Sequence, residues 1–326
     1  MSERKTRYAE FCRLQYAPLH LQPWWLDAVC GAADWEVCLA TDGGGHITGA
    51  WPYYFRRYGC VRIIQQPPLT SYGGPWLKYP DHESSKPYKR TGFEKKTYTD
   101  LIGQLPHTAF FQQSFLPEIT DWLPFYWSGF HQTTRYTYRF EDTSDPEKIW
   151  NGFKNTLRTD MRNAEKAVDV SPEADAEALV FQLHEKSFFR KNLQTPYRFG
   201  PFGRLHQALS ERGNSVCFIA RDRKTRAPHA GLYLAFDTRA AFVLMTGQDP
   251  VFKSTSAIWL LFREAIKFCS QRGLSIGFEG SMNKNIERGF RAFGARLTPY
   301  HQVRKAGNKG YEWAWQLYKW CQPRPT

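Results

Sequence analysis

Apolar and polar residues alternate over three short runs near the start of the chain, WEVCLAT (35–41), HITGAWPYYF (46–55) and VRIIQQ (61–66), with the turn sequence DGGG (42–45) between the first two. A period of two bounded by glycine turns predicts an antiparallel meander. Ahead of it, PWWLDAVCG (23–31) has proline in the first turn and glycine just past the end, the marks of a short helix. The segment KYPDHESSKPYKRTGFEKK (78–96) has no apolar period and predicts a long surface loop. Its Lys89 and Arg90 are either contacts for an anionic ligand or part of a solvated loop. Beyond it the pattern predicts a helix over about 97–105, a strand over 107–115, a helix over 118–130 and a strand over 132–141.

The second half opens with SDPE (144–147), a capping box with proline inside the first turn. Behind it Trp150, Phe153, Leu157, Met161, Ala164 and Val168 recur at steps of three and four, which predicts one continuous amphipathic helix. On another face Lys154, Arg158, Arg162 and Lys166 recur every four residues. Like charges at that spacing repel by a few tenths of a kcal/mol per pair, so the ridge points to a phosphate partner, with a plain solvated face as the alternative. A helix over 173–191, strands over 216–222, 229–237 and 240–247, a helix over 254–272, a strand over 274–279, a helix over 284–293 and a strand over 297–305 follow. The order of elements in the first half is repeated, which predicts two similar α+β domains: residues 1–140 with 308–326, and residues 141–307.

Composition narrows the partners. Lys and Arg number 44 against 31 Asp and Glu, a surplus of +13 that suits RNA, DNA, an anionic lipid surface or a phosphorylated substrate, or simply a basic enzyme. The 7 cysteines are scattered with no Cys-x-x-Cys, which predicts reduced thiols in a cytoplasm, and the 9 histidines show no ligand spacing, so no metal is expected. The N-terminal MSERKTRYAEF is charged where a signal peptide needs an apolar run, and no stretch approaches the ~18 apolar residues of a membrane span.

Three segments carry a resemblance: LRTDMRNAEKA (157–167), HEKSFFRKNLQTPY (184–197) and FEGSMNKNIERGFRAFGA (278–295), with weaker support from PPLTSYGGPWL (67–77). Together with the element order they resemble the Fem peptidyltransferases and their FemAB-like relatives. The resemblance implies two tandem GNAT-like acyltransferase domains, each a mixed, mostly antiparallel sheet flanked by helices. It also implies transfer of an aminoacyl group from aminoacyl-tRNA to an amine acceptor: a small metabolite, a peptide or a cell-wall precursor. No cofactor beyond the tRNA co-substrate is then needed. An acyl-CoA-dependent N-acyltransferase is the alternative, and a non-catalytic RNA-binding module the second. GNAT enzymes that use CoA normally carry a glycine-bearing loop before the long central helix, whose amides cradle pyrophosphate. The matching segment DPVFKSTS (249–256) has no glycine, which disfavours CoA. The chain is also too short for the helical arm of the larger Fem enzymes.

Candidate chemistry concentrates in the last of these segments. Glu279 either orients or deprotonates the attacking amine or holds the turn at Gly280. Arg288 and Arg291, three apart on one helical face, suit an oxyanion or a phosphate. Fem enzymes implicate a lysine in the segment matching FRAFG (290–294), where Arg291 stands here. Arginine does not donate a proton, so that role passes to Tyr300, Lys305 or the tRNA. Arg190, Lys191, Gln194 and Tyr197 bind a substrate end or close a helix. Tyr72 and Gly73 lie in a loop that either admits a ligand or makes a tight turn. No Ser-His-Asp or Cys-His order is present, so direct attack without a covalent enzyme intermediate is expected.

Overall fold

The computed structural model describes residues 2–59, 61–80, 86–190, 192–280 and 282–313. Two compact units divide the chain: Met1–Arg135 with Pro299–Thr326, and Tyr136–Thr298. The crossings therefore fall after residues 135 and 298, inside two strands, whereas the sequence pattern placed them at 140 and 307.

In the first unit, α1 (Glu3–Leu14) and α2 (Pro23–Cys30) precede β1 (Trp35–Thr41), β2 (Ile47–Tyr58), β3 (Val61–Gln65) and the short β4 (Trp76–Leu77). Then come α3 (Pro87–Gly103), β5 (Phe110–Ser114), α4 (Leu123–Trp127) and β6 (His131–Phe140), which carries the chain into the second unit. The second unit continues through α5 (Pro146–Gly152), α6 (Asn155–Ala167), β7 (Val168–Glu173), α7 (Glu177–Phe189), α8 (Phe199–Ser210), β8 (Ser215–Asp222), β9 (Pro228–Phe236) and β10 (Ala240–Gln248). A 3-10 turn (Pro250–Thr255), α9 (Ala257–Ser270), β11 (Ser275–Gly277), α10 (Lys284–Arg291) and β12 (Arg296–Ala306) complete it, and β12 returns the chain to the first unit.

Both units build the same sheet. In the first, β1-β2-β3 run antiparallel, β5 joins β3 in parallel with Ile63 opposite Phe110, and β12 closes antiparallel with Gln302 opposite Ser114. In the second, β7-β8-β9-β10 run antiparallel, β11 joins β10 in parallel with Ala240 opposite Ser275, and β6 closes antiparallel with Ile276 opposite Phe140. A parallel pair next to a meander requires a helical crossover, and α3 and α9 supply it. The buried stripe of α9, Leu260, Leu261, Phe262, Ala265 and Ile266, lies against that second sheet.

Several local expectations are corrected. Residues 78–96 are not all loop: α3 begins at Pro87, and only its last two turns bury apolar side chains, which hides the period. Pairs four residues apart, Arg90 with Glu94 and Lys96 with Asp100, lace its exposed face. The single helix expected after residue 144 is two, because Phe153 and Lys154 adopt extended backbone between α5 and α6. Its cap is Asp145, whose carboxylate accepts from the Lys148 amide, one residue later than the box suggested. The helix α8 escaped notice because glycine and proline crowd its first turns, yet Phe202, Leu205 and Leu209 bury at helical spacing. Equally unread were α1, capped by Ser2, and β7, where Val168 is the first strand residue rather than the last of the apolar stripe.

One close approach fixes the second unit. Gly247 on β10 lies under α7 so tightly that a Cβ there falls 2.1 Å from the backbone nitrogen of His184. Gly247→Ala is expected to lower stability by about 3 kcal/mol, since neither backbone yields easily. Gly103→Ala, where nothing lies within 4 Å of the added atom, is the matched control. Urea unfolding midpoints check the difference.

Candidate functional site

The break between α5 and α6 creates a site. Lys154 caps α6, and its own amide donates to the Ala292 carbonyl at 2.8 Å, tying the start of α6 to the end of α10. The first intrahelical bond is from the Arg158 amide to the Lys154 carbonyl. No side chain caps the helix, so the amides of Asn155, Thr156 and Leu157 form an open positive end. Opposite stands α10, an eight-residue helix started by Asn283, whose side chain accepts from the Asn285 and Ile286 amides.

Glycines set the approach. A Cβ on Gly289 falls 2.6 Å from the Trp259 indole, and one on Gly294, where φ is +71°, falls 2.7 Å from the Gly152 carbonyl. Beneath them a ring cluster holds both helices: Phe153 to Phe293 at 5.0 Å, Phe278 to Phe293 at 5.2 Å and Phe262 to Phe290 at 5.4 Å. Edge-to-face geometry of this kind adds about 0.5–1.5 kcal/mol per pair beyond burial.

Between α6 and α10 lies an open cavity of about 630 Å³, within the range of small-molecule sites. Lys154, Arg288 and Arg291 line it with one carboxylate, Asp160, and with Thr156, Asn285 and Trp259. Arg291 is 67% exposed and pairs with Glu287 at 3.5 Å. The Glu287 carboxylate in turn accepts from the Tyr138 hydroxyl at 2.8 Å. Burial, then this bond, pushes the Tyr138 phenol up to about 12, so Tyr138 stays neutral and orients Glu287. Arg288 and Lys154 make no ion pair among the described residues.

The structure thus brings Lys154 together with Arg288 and Arg291. It does not bring the rest of the basic ridge to the cavity lining: Arg158 bonds back to Asn155, Lys166 to Asn163, and Arg162 is exposed. Sequence reading missed Thr156, Asp160, Trp259 and Asn285, and the Tyr138–Glu287 support. The helix break that gathers them had one signal, Gly152 ahead of Phe153.

Glu279 sits at the exit of β11. All three residues of β11 pair with β10, opposite Ala240, Ala241 and Phe242, so Glu279 lies at the carboxyl end of a parallel strand, the end at which ligands bind in open α/β sheets. Glu279 has φ +58°, an uncommon state for a residue with a Cβ. Its carboxylate folds back over Gly277, where a Cβ would come within 2.8 Å of Oε1.

A third group surrounds the end of α7. Arg190 is its C-cap residue, and Gln194 is exposed. The Tyr197 ring stacks on His184 at 5.9 Å, and burial pushes the phenol up to about 12. His184 Nδ1 lies 2.8 Å from the Thr246 carbonyl, which only accepts, so that nitrogen carries the proton. Burial holds this imidazole below its ordinary value. Lys191 lies outside the described residues.

The remaining candidates belong to the first unit. Tyr72 meets Tyr300 edge to face at 5.2 Å, and Arg135 donates to the Tyr300 hydroxyl at 3.3 Å. Gly73 uses both backbone groups, donating to the Ser114 carbonyl and accepting from the Leu116 amide. Lys305 donates to the Ser128 carbonyl at 2.8 Å beside the Phe130 ring. Lys89 and Arg90 ride on α3, where Arg90 also lies over the Tyr79 ring.

Before the second unit's crossover helix, Pro250–Thr255 is a 3-10 turn flanked by Asp249 and Ser256. Asp249 accepts from the Val251 amide and pairs with Lys186 at 2.6 Å, which holds its carboxyl below the ordinary range. The turn has no glycine to let its amides approach a pyrophosphate closely.

Comparison with known proteins agrees with this architecture. Residues 151–278 match the family described as acetyltransferase (GNAT) domain. No curated protein matches the chain in sequence. The fold is similar to the crystal structure of FemX, at 12% identity and a TM-score of 0.67, over 92% of this chain and 96% of that one. It is also similar to the C-terminal domain of a putative lysylphosphatidylglycerol synthetase from Agrobacterium fabrum, at 12% identity and a TM-score of 0.60, over 97% and 96%. Residues 151–278 therefore form an acyltransferase domain of the GNAT type. The fold that the sequence resemblance implied, a mixed, mostly antiparallel GNAT-like sheet flanked by helices, is the fold observed. Among the described residues no helix is long and apolar enough to cross a membrane, and no cluster of His, Cys, Asp and Glu suits a metal ion.

An anion bound in the cavity should stabilise the fold by mass action. Inorganic pyrophosphate is expected to raise the thermal midpoint by about 2 °C or more, and Arg288→Ala with Arg291→Ala should abolish the shift. Differential scanning fluorimetry reads both.

Proposed function

We propose that this acyltransferase moves an aminoacyl group from aminoacyl-tRNA to an amine by direct attack. One observation carries the reading: three cations, Lys154, Arg288 and Arg291, converge with the open amides of α6 on a single cavity. Such a combination recognises phosphate, and the 3′ end of a charged tRNA presents phosphates next to the reactive ester. The name of one structural neighbour, a putative lysylphosphatidylglycerol synthetase, also contains an aminoacyl product.

In this scheme the amine lone pair attacks the ester carbonyl. The C–N bond forms, the carbonyl oxygen becomes an oxyanion, and the C–O bond to the ribose then breaks. Arg288 and Arg291 stabilise the negative charge, which is the largest contribution such a reaction takes from a site. Glu279 at the strand exit accepts the proton from the amine. The departing ribose oxygen takes a proton from solvent or from the tRNA, since neither arginine gives one. Arg190, Gln194 and Tyr197 bind the acceptor. The reading places the protein in the cytoplasm, where charged tRNA is found.

The family description favours a second reading, acyl transfer from acyl-CoA, because CoA also carries a pyrophosphate. The Asp249 turn without glycine counts against it.

Incubation with a charged tRNA pool and candidate amines, followed by mass spectrometry, separates the two. Amide formation from aminoacyl-tRNA is expected, and Glu279→Gln should reduce it by roughly 100-fold or more. Turnover with acyl-CoA and none with any aminoacyl-tRNA would sink the first reading.

A further inference from the structure

The hairpin that joins β2 and β3 carries charge that the cavity of the second unit leaves unused. From residue 43 to residue 80 the chain holds no aspartate or glutamate, and Arg56, Arg57 and Arg62 all fall on this hairpin. The strand register sets Arg57 directly opposite Arg62. Side chains so opposed have Cβ atoms about 5 Å apart, and like charges there destabilise the pair. None of the three arginines makes an ion pair among the described residues. The arrangement therefore costs stability in the free protein, and an anion laid across it offsets that cost.

The geometry is that of a planar fork. The guanidinium carbons of Arg57 and Arg62 stand 5.8 and 5.5 Å from the centroid of the Phe55 ring, which shares their face at alternate positions. On the other face Arg56 stands 5.3 Å from the Tyr58 ring, and Tyr58 is 53% exposed. Cation–π contact keeps each guanidinium group over a ring and leaves its N–H edges for phosphate oxygens.

We propose that this hairpin is an RNA-docking element that grips the sugar-phosphate backbone of the tRNA body, away from the acylated end. The proposal rests on the aminoacyl-tRNA reading and adds a second contact to it in the first unit. Arginine rather than lysine, with rings already covered by guanidinium groups, suits phosphodiesters. A bilayer asks for apolar side chains to insert, and Tyr58 is the one large apolar residue highly exposed among the described residues of the hairpin.

Fluorescence anisotropy with uncharged tRNA and with the trinucleotide CCA tests it. Arg57→Gln with Arg62→Gln should weaken tRNA binding about tenfold and flatten the slope of log K against log salt by roughly two units, while CCA binds as before. Arg57→Lys with Arg62→Lys should restore most of the slope, and circular dichroism of both variants reports folding. Wild-type tRNA affinity and slope in the folded Gln variant overturn the proposal while leaving the aminoacyl-tRNA reading intact. Wild-type protein that binds neither tRNA nor CCA overturns both. Loss of binding to phosphatidylglycerol vesicles with tRNA binding unchanged assigns the hairpin to a lipid surface instead.

Discussion

The second unit depends on the ring cluster of Phe153, Phe262, Phe278, Phe290 and Phe293. Each ring comes from a different piece of chain: the break before α6, the middle of α9, the exit of β11, α10 and the turn after it. Their packing, with the bond from the Lys154 amide to the Ala292 carbonyl, fixes where α6 begins and where α10 ends. Without that clamp the open amides of α6 and the arginines of α10 have no reason to face one space. The apolar core therefore positions the charge, and the charge defines what the cavity accepts.

The features around this clamp run against local preference. Glu279 occupies a left-handed backbone state, Gly289 and Gly294 sit where any side chain collides with its neighbour, and α6 starts without a side-chain cap. Each costs free energy, and in a fold built only for stability such features are easily replaced. Grouped within one unit around β11, α10 and the start of α6, they mark the region where tertiary packing overrides local preference.

Much of the fold was legible because its strands alternate cleanly and its long helices carry wide apolar stripes. The strands β1 to β3 and β8 to β10, the crossover helix α9 and the short α10 were all readable from period and capping. The cavity was half legible. Arg288 and Arg291 stood out by spacing and Lys154 by its place in the basic ridge, but their convergence was not readable, because one apolar stripe runs unbroken through Trp150, Phe153 and Leu157. Periodicity does not register a break when the residues on both sides bury in the same core. Trp259 and Asp160 looked like ordinary helix residues, since nothing local distinguishes a wall of a cavity from a packed face. Helix α3 was hidden for the opposite reason: its first half buries almost nothing, so its sequence reads as loop.

The central claim is that the phosphates of the acyl donor lie between α6 and α10. Photo-crosslinking locates them most directly, with a tRNA whose 3′-terminal nucleotide carries the reactive group and with peptide mapping of the adduct. Label on peptides covering residues 152–160 or 284–292 is the predicted result. Label confined to residues 249–259, at the turn before α9, would contradict it.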